Sequence, residues 1–304
     1  MMRFLRTRNK RVEVHLWPSP PAQDWLATST TLRALALRWD RYEASDLDEH
    51  VNEHDDMFDR ADGDLATYRH VGRSALQIIT EAMVASGRTD FEDVLDLPCG
   101  GGRVTRHLRP FFPESNLFVA DIDKVKESAV AEQFKATPFA FPTDYMSHPS
   151  QSFDLIFSGS LLTHFDIEMF RRALDYFVAA LKPKGIAVLT LHGRGMASHS
   201  LEPTALARLL ENKDAFLKHF KTLKRRPSLN IDPETAIKRD FVEAGFGYFA
   251  MPSWTETYKQ SYGGSYSSPA WIMGEIQSRA DCAILGYKEM SYGQSQDALL
   301  LQRI

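Results

Sequence analysis

The ten residues Val94-Leu95-Asp96-Leu97-Pro98-Cys99-Gly100-Gly101-Gly102-Arg103 constrain this chain more than any other stretch. A short apolar run that passes straight into glycines is a strand ending in a tight turn. Glycine lets the backbone adopt conformations closed to other residues and approach a ligand with no β-carbon in the way. From Arg103 toward Arg109 the spacing is helical, and the helix is expected to stop at Pro110, which lacks an N–H and has a fixed φ. A glycine turn alone is met equally often where a strand and a helix need only a steric connection, so its meaning depends on the segments downstream of it.

Those segments alternate in kind. Residues 117–120 form a second apolar run that ends in Asp121-Ile122-Asp123 and leads into a helical stretch from Val125 to Lys135. Residues 138–141 read as a weak third strand, 154–157 as a fourth, 167–181 as a helix and 186–191 as a fifth strand. Upstream, a helix from Ser74 through Ile78, Ile79, Ala82 and Met83 feeds the first strand. Two closing strands, 283–287 and 298–301, turn through Tyr292-Gly293. Apolar strands alternating with helices predict a parallel sheet covered on both faces and joined by right-handed crossovers, a doubly wound α/β fold.

The remaining segments suggest three parts. Residues 1–73, polar and broken by Pro18-Ser19-Pro20-Pro21, read as a helical N-terminal appendage; 74–195 as the α/β core; and 196–304 as a substrate-cap insertion followed by the closing strands. The insertion holds a charged helix near 203–221, a basic run (Lys218, Lys221, Lys224, Arg225, Arg226) and a helix ending near Gly245. Its aromatic stretch carries Tyr258, Tyr262, Tyr266 and Trp271, side chains that suit stacking on an acceptor and suit core packing equally well. The basic run meets either an anionic ligand or, more commonly, solvent.

Composition narrows the class. The chain has 304 residues, 43% hydrophobic and 25% charged, as in an ordinary globular protein. With 36 Lys plus Arg against 40 Asp plus Glu, a net charge of −4 offers no overall attraction to nucleic acid or an anionic membrane. Two cysteines, Cys99 and Cys282, make no disulfide framework and fit a reducing, cytoplasmic setting. Five basic residues by Arg11 have no apolar run behind them, and no stretch approaches the ~20 apolar residues of a membrane span.

Ligands of open α/β sheets bind beyond the carboxyl ends of the strands, and an acid at the end of the second strand can accept from both hydroxyls of a ribose. Asp121 stands 19 residues after Gly102, a spacing that serves an adenosine-containing cofactor. No Gly-x-x-x-x-Gly-Lys-Ser/Thr phosphate cradle is present. A dinucleotide fingerprint would need a third glycine that is missing after Gly100, so NAD fits these residues less well.

Residues 94–102 resemble the first motif of class I S-adenosylmethionine-dependent methyltransferases, Asp/Glu-x-Gly-x-Gly-x-Gly. Asp96, Gly100 and Gly102 match it, and Pro98 replaces the first glycine. The run Leu-Asp-Leu-Pro-Cys-Gly-x-Gly-Arg-Val is similar to a bacterial subgroup that carries proline there. The likeness covers residues 75–195, about two fifths of the chain. It implies a seven-stranded Rossmann-like sheet and S-adenosyl-L-methionine as cofactor, gripped by Asp96, Pro98, Cys99, Gly100, Gly102 and Arg103. Asp121, with Ile122 beside it, would take the ribose. Asp144 would meet the adenine amino group, with Tyr145 as its neighbour. Ser158, Gly159 and Ser160, after the fourth strand, would border the methionine part. Residues 181–185 resemble the turn before the fifth strand, with Lys184 where glycine is commoner.

Methyl transfer needs a nucleophile held in line with the sulfonium methyl, and a hydroxyl acceptor gains from a nearby base. His164 and His192, just after the fourth and fifth strands, are the candidates; each has the alternative of satisfying a local hydrogen bond. Asp166 is placed to orient His164 or to do nothing. His50-Val51-Asn52-Glu53-His54 matches a zinc pattern that recurs by chance in acidic, histidine-rich segments, and no metal is expected. The expected function is methyl transfer to a small-molecule or glycan acceptor, at oxygen. The alternatives are a methyltransferase-like binding or scaffold protein without turnover and, less well supported, an NAD-dependent oxidoreductase. Oligomeric state is open.

Overall fold

The computed structural model describes residues 25–58, 60–61, 63–211, 230–251 and 262–304. The 218–226 basic run, Tyr258 and the proline-rich break lie outside them. Two helices come first: α1 (Trp25–Glu43) and α2 (Leu65–Ser86). The alternating core is β1 (Asp93–Asp96), α3 (Thr105–Phe111), β2 (Asn116–Val119), α4 (Lys124–Phe134), β3 (Thr137–Pro138), β4 (Phe153–Ser158), α5 (Ile167–Ala179) and β5 (Leu181–Leu191). Then come α6 (Arg194–Ser200), a helical stretch α7 over residues 233–244, β6 (Phe246–Ala250), β7 (Gly263–Ser267), α8 (Pro269–Gln277), β8 (Cys282–Tyr292) and β9 (Gln296–Arg303).

Seven strands form one sheet in the order β3-β2-β1-β4-β5-β9-β8, and β6 and β7 form a separate antiparallel pair. The first five strands are parallel, and β9 runs antiparallel between β5 and β8. This is the doubly wound, seven-stranded Rossmann-like sheet that the strand pattern and the resemblance predicted. Both faces are buried, and successive residues of each strand serve opposite cores. Val188 and Leu300 pack with α2 and α3, whereas Ala187, Leu189, Leu299 and Leu301 pack with α5 and α8. That is why the central strands read as unbroken apolar runs.

Helix ends follow their caps. Asp64 accepts from the Ala66 and Thr67 amides at the start of α2, and Gly87 closes it in the left-handed region at φ 73°. α2 therefore begins before Ser74, and residue 74 lies inside the helix. Asp166 caps α5 through the Met169 amide at 2.9 Å, so its carboxylate serves that helix. β8 and β9 turn through Gly293 and Gln294, both at positive φ, with the Ser295 amide donating to the Tyr292 carbonyl at 3.1 Å.

Three local expectations are corrected. Pro110 lies inside α3 rather than ending it. In the last turn its missing N–H removes a single helical bond, and the Phe112 amide still closes on Leu108 at 2.8 Å. The third strand is only Thr137–Pro138, because Pro138 cannot donate to a ladder and is tolerated at this edge. The fifth strand starts early, at Leu181. Phe153 pairs with Leu181 and Leu155 with Ile186, so two steps along β4 match five along β5 in a bulge that puts Lys184 at φ 61°.

Candidate active site

A cleft of about 250 Å³ opens at the carboxyl ends of β1, β2 and β4. Its floor is the turn after β1. Gly100 has φ 51° and Gly102 φ 86°, and a β-carbon on Gly102 would stand 2.6 Å from the Phe134 ring. Glycine is thus required at Gly102 both by backbone conformation and by the closeness of α4. The Gly100 amide donates to Asp121 Oδ2 at 2.9 Å, and the Asp123 amide donates to Oδ1 at 2.9 Å. The two strand ends are thereby locked together. Burial raises the Asp121 pKa, against the opposing pull of these two amides. Each carboxylate oxygen keeps a lone pair for a hydroxyl donor.

Beside Asp121, Ile122, Phe141, Thr143 and Tyr145 form one wall. Tyr145 is buried, at φ 56°, edge-on to Phe165 at 5.6 Å. Beyond the motif turn, Gly159, Ser160, Leu161 and His164 form the other wall, with Arg103 and Tyr292. Arg103 donates to the Tyr292 hydroxyl at 3.4 Å.

Of the residues expected at the site, the fold brings Pro98, Cys99, Gly100, Arg103, Asp121, Ile122, Tyr145, Gly159 and His164 to this cleft. Asp96 lies behind the turn, where its Oδ2 accepts from the Thr105 hydroxyl at 2.6 Å. Burial pushes its pKa up to about 7. Gly102 supports the turn from the α4 side. Asp144 is exposed and accepts from the Met146 amide at 3.1 Å, while its neighbours Thr143 and Tyr145 face the cleft. Ser158 is buried within β4 and does not line the cleft.

The two histidines differ. His164 Nδ1 lies 2.8 Å from the Gly263 carbonyl, which can only accept, so Nδ1 carries the proton and Nε2 the lone pair. Its ring stacks on Tyr262 at 4.6 Å. Burial pushes its pKa down to about 4. His192 is half-buried and does not line the cleft; it lies 5.6 Å from the Tyr266 ring, and desolvation with the nearby His164 takes its pKa down to about 3.

Residues that sequence reasoning missed come from distant parts of the chain. Asp56 and Met57 reach the cleft from the segment between α1 and α2, and Asp56 pairs with Lys126 at 2.8 Å. The buried Arg106 anchors this segment through the Asp48 carbonyl at 2.8 Å and the His50 carbonyl at 3.1 Å. Neighbouring Asp55 accepts from the Tyr68 hydroxyl and packs against Gly101. Tyr262 lines the cleft, whereas Tyr266 bonds Ser200 at 2.9 Å and Trp271 packs on Phe246 at 4.6 Å. Tyr292 had only a turn glycine beside it as a signal.

Among the described residues, one acidic trio has metal-ligand spacing, Glu92, Asp93 and Asp154. Lys182 fills it, at 3.3, 2.6 and 2.8 Å from the three carboxylates. No helix among the described residues is long and apolar enough to cross a membrane.

With this geometry in view, the family described as "Methyltransferase domain" matches residues 94–185, from β1 to the bulge of β5. Residues 94–185 are similar to a methyltransferase domain. That span contains the motif turn, Asp121, the Tyr145 wall and His164. No curated protein sequence matches the chain. Among solved structures, the N-methyltransferase NodS from Bradyrhizobium japonicum WM9 with S-adenosyl-L-homocysteine is similar at 13% identity and TM-score 0.44, over 91% of this chain and 98% of that one. An O-methyltransferase family protein from Burkholderia thailandensis is similar at 14% and 0.42, over 91% and 71%. The 1,6-didemethyltoxoflavin-N1-methyltransferase of the same species is similar at 11% and 0.46, over 94% and 93%.

Proposed function

We propose that this methyltransferase-like domain binds S-adenosyl-L-methionine and transfers its methyl group to a small-molecule or glycan acceptor, at oxygen. One observation carries the reading: Asp121, clamped to Gly100, presents a buried carboxylate beside a glycine turn that leaves the cleft floor bare. Bound there, the cofactor would supply an electrophilic methyl on a sulfonium. The residues fit it. Asp121 would accept from the ribose hydroxyls, Phe141 and Tyr145 would flank the adenine, and Arg103 would meet the anionic end. Asp96 would act through Thr105, by holding the start of α3.

Orientation supplies much of the rate in a displacement of this kind. Tyr262 and Leu161 would exclude water from the reacting atoms, and His164 Nε2 would receive the acceptor's proton as its oxygen bonds the methyl carbon. With the cofactor in this cleft, the acceptor would present its reacting atom at the rim. Met57 from the N-terminal appendage and Tyr262 from the post-core part would shape that rim, which supports a capping role for both segments.

Calorimetry tests the reading. S-adenosylmethionine and S-adenosylhomocysteine should bind, NADH should not compete, and a panel of hydroxyl acceptors should yield a methylated product. Tight cofactor binding with no transfer to any acceptor would favour the scaffold reading, and NADH displacing S-adenosylhomocysteine would favour the oxidoreductase.

A further inference from the structure

The chain between α1 and α2 passes beside the cleft as a strap, and its main chain is pinned on both flanks. Upstream, the buried Arg106 donates to the Asp48 and His50 carbonyls at 2.8 and 3.1 Å. Gln133 of α4 adds two bonds, from Nε2 to Asp48 Oδ2 at 3.1 Å and to the His50 carbonyl at 2.9 Å. Downstream, Asp55 accepts from the Tyr68 hydroxyl, and the Phe58 ring stands edge-on to Tyr68 at 5.5 Å. Asp55 is buried directly on the motif turn, where a β-carbon on Gly101 would fall 2.2 Å from its Cγ. Main chain held at this density does not swing open as a free loop does.

Between these anchors, Asp56 and Met57 reach the cleft. Asp56 pairs at 2.8 Å with Lys126, in the first turn of α4, and Lys126 lines the cleft as well. The strap rests on Gly101 and α4 rests on Gly102 through Phe134 and Val130, so the ion pair ties together the two elements that flank the turn. The Lys126 side chain is 14% exposed and that of Asp56 67%, which puts the ammonium inward and the carboxylate in water. Burial lowers the Lys126 pKa, but Asp56, Asp121 and Asp123 outweigh burial and raise it, so the ammonium stays charged. A lysine on its flexible four-carbon stem can leave its partner by side-chain rotation, with both supports still in place.

We infer that the ion pair of Asp56 and Lys126 is a gate on the cleft, opened by side-chain rotation each time a nucleoside enters or leaves. The inference rests on the cofactor reading above and adds to it a control on exchange. The pair is closed before the ligand arrives and is remade once it has passed, so the gate raises the barrier in both directions and leaves the affinity alone. S-adenosylhomocysteine has to depart after every turnover, and the gate sets how long it stays.

The test uses the full chain, with stopped-flow association and chase-induced release of S-adenosylhomocysteine and of 5′-methylthioadenosine, which carries no charge at neutral pH. Asp56→Asn and Lys126→Gln should each raise the association and release rate constants together by roughly two- to fivefold, the usual weight of a partly exposed ion pair. Dissociation constants from calorimetry should stay within about twofold of the wild type, and the double variant should go little beyond either single one. Raising salt from about 0.05 to about 0.5 M should speed release of both ligands from the wild type and leave Asp56→Asn unmoved. Because methylthioadenosine is uncharged, a salt effect on its release belongs to the protein. Both variants exchanging ligand at the wild-type rates would remove the gate and leave the cofactor reading intact. Faster release without faster association also overturns the gate, since the pair would then be a contact to the ligand. A wild type that binds neither nucleoside defeats the cofactor reading itself, and this inference with it.

Discussion

The Gly100 amide and the Asp121 carboxylate meet at 2.9 Å, so the turn after β1 and the acid after β2 hold one another in place before any ligand arrives. Asp121→Ala should therefore both free the turn and remove the ribose acceptors. Loss of hydrogen bonds to a charged group predicts about 2 kcal/mol, or roughly thirtyfold, in the S-adenosylhomocysteine dissociation constant measured by calorimetry. Because burial raises the Asp121 pKa and the ionised form accepts, wild-type affinity should fall as pH drops toward that raised value. An affinity independent of pH on the acid side would count against the assignment.

Gly102→Ala should destabilise the fold by ~1–3 kcal/mol in urea, since alanine meets both the strained φ and the Phe134 ring. Phe134→Leu in the same chain should recover part of the steric share. Strict additivity of the two substitutions would show that Phe134 is not the obstacle.

The pH profile of transfer discriminates the role of His164. With its pKa pushed down to about 4, the imidazole is neutral across pH 5–8, and the rate in that window should show no histidine limb from it. His164→Ala should cost roughly 10²–10⁴ in rate if Nε2 takes the proton. A wild-type rate with normal cofactor binding would remove His164 from the chemistry.

At the opposite end of the strands, Asp154 carries a pH dependence of stability. Burial raises its pKa, but Lys182, Arg88 and the Asp93 amide outweigh burial and bring it to about 2, below its ordinary 3.8. A depressed folded value stabilises the fold above the ordinary pKa, so this contribution should be complete above pH 4 and drain away between about 4 and 2. Asp154→Asn should lower stability near neutrality by about 2 kcal/mol and flatten the acid limb of the unfolding midpoint. An unchanged acid limb would show that other carboxylates govern it.

The sheet was legible because its strands are buried on both faces. Residues 154–157 and 186–191 carry an apolar signal that no amphipathic helix would mimic, and Asp121 was found by its distance from Gly102. What escaped reading depends on contacts between remote segments. Nothing local marks Asp56 or Met57 as cleft residues; the buried Arg106, from α3, draws their segment over the motif. Tyr292 meets Arg103 only because β9 folds back beside β5. The loop after β3 shows a finer limit. Sequence placed Asp144 toward the ligand, but Tyr145 at φ 56° takes the wall position and Asp144 turns back on its own loop. Pro110 misled for the reverse reason: a proline breaks a helix only where turns remain to be built beyond it.

The insertion of β9 between β5 and β8 has a bearing on how the chain emerges from a ribosome. While residues 296–303 are still in the exit tunnel, β5 can be paired on one side only, and its other edge offers unpaired amides and carbonyls to any extended segment nearby. The same delay leaves Ser160 Oγ without the Gln296 side-chain amide that donates to it at 2.9 Å in the folded chain. A nascent chain at that stage should be a client for chaperones, and a premature stop before residue 296 should send the product into inclusion bodies rather than yield a weakened enzyme.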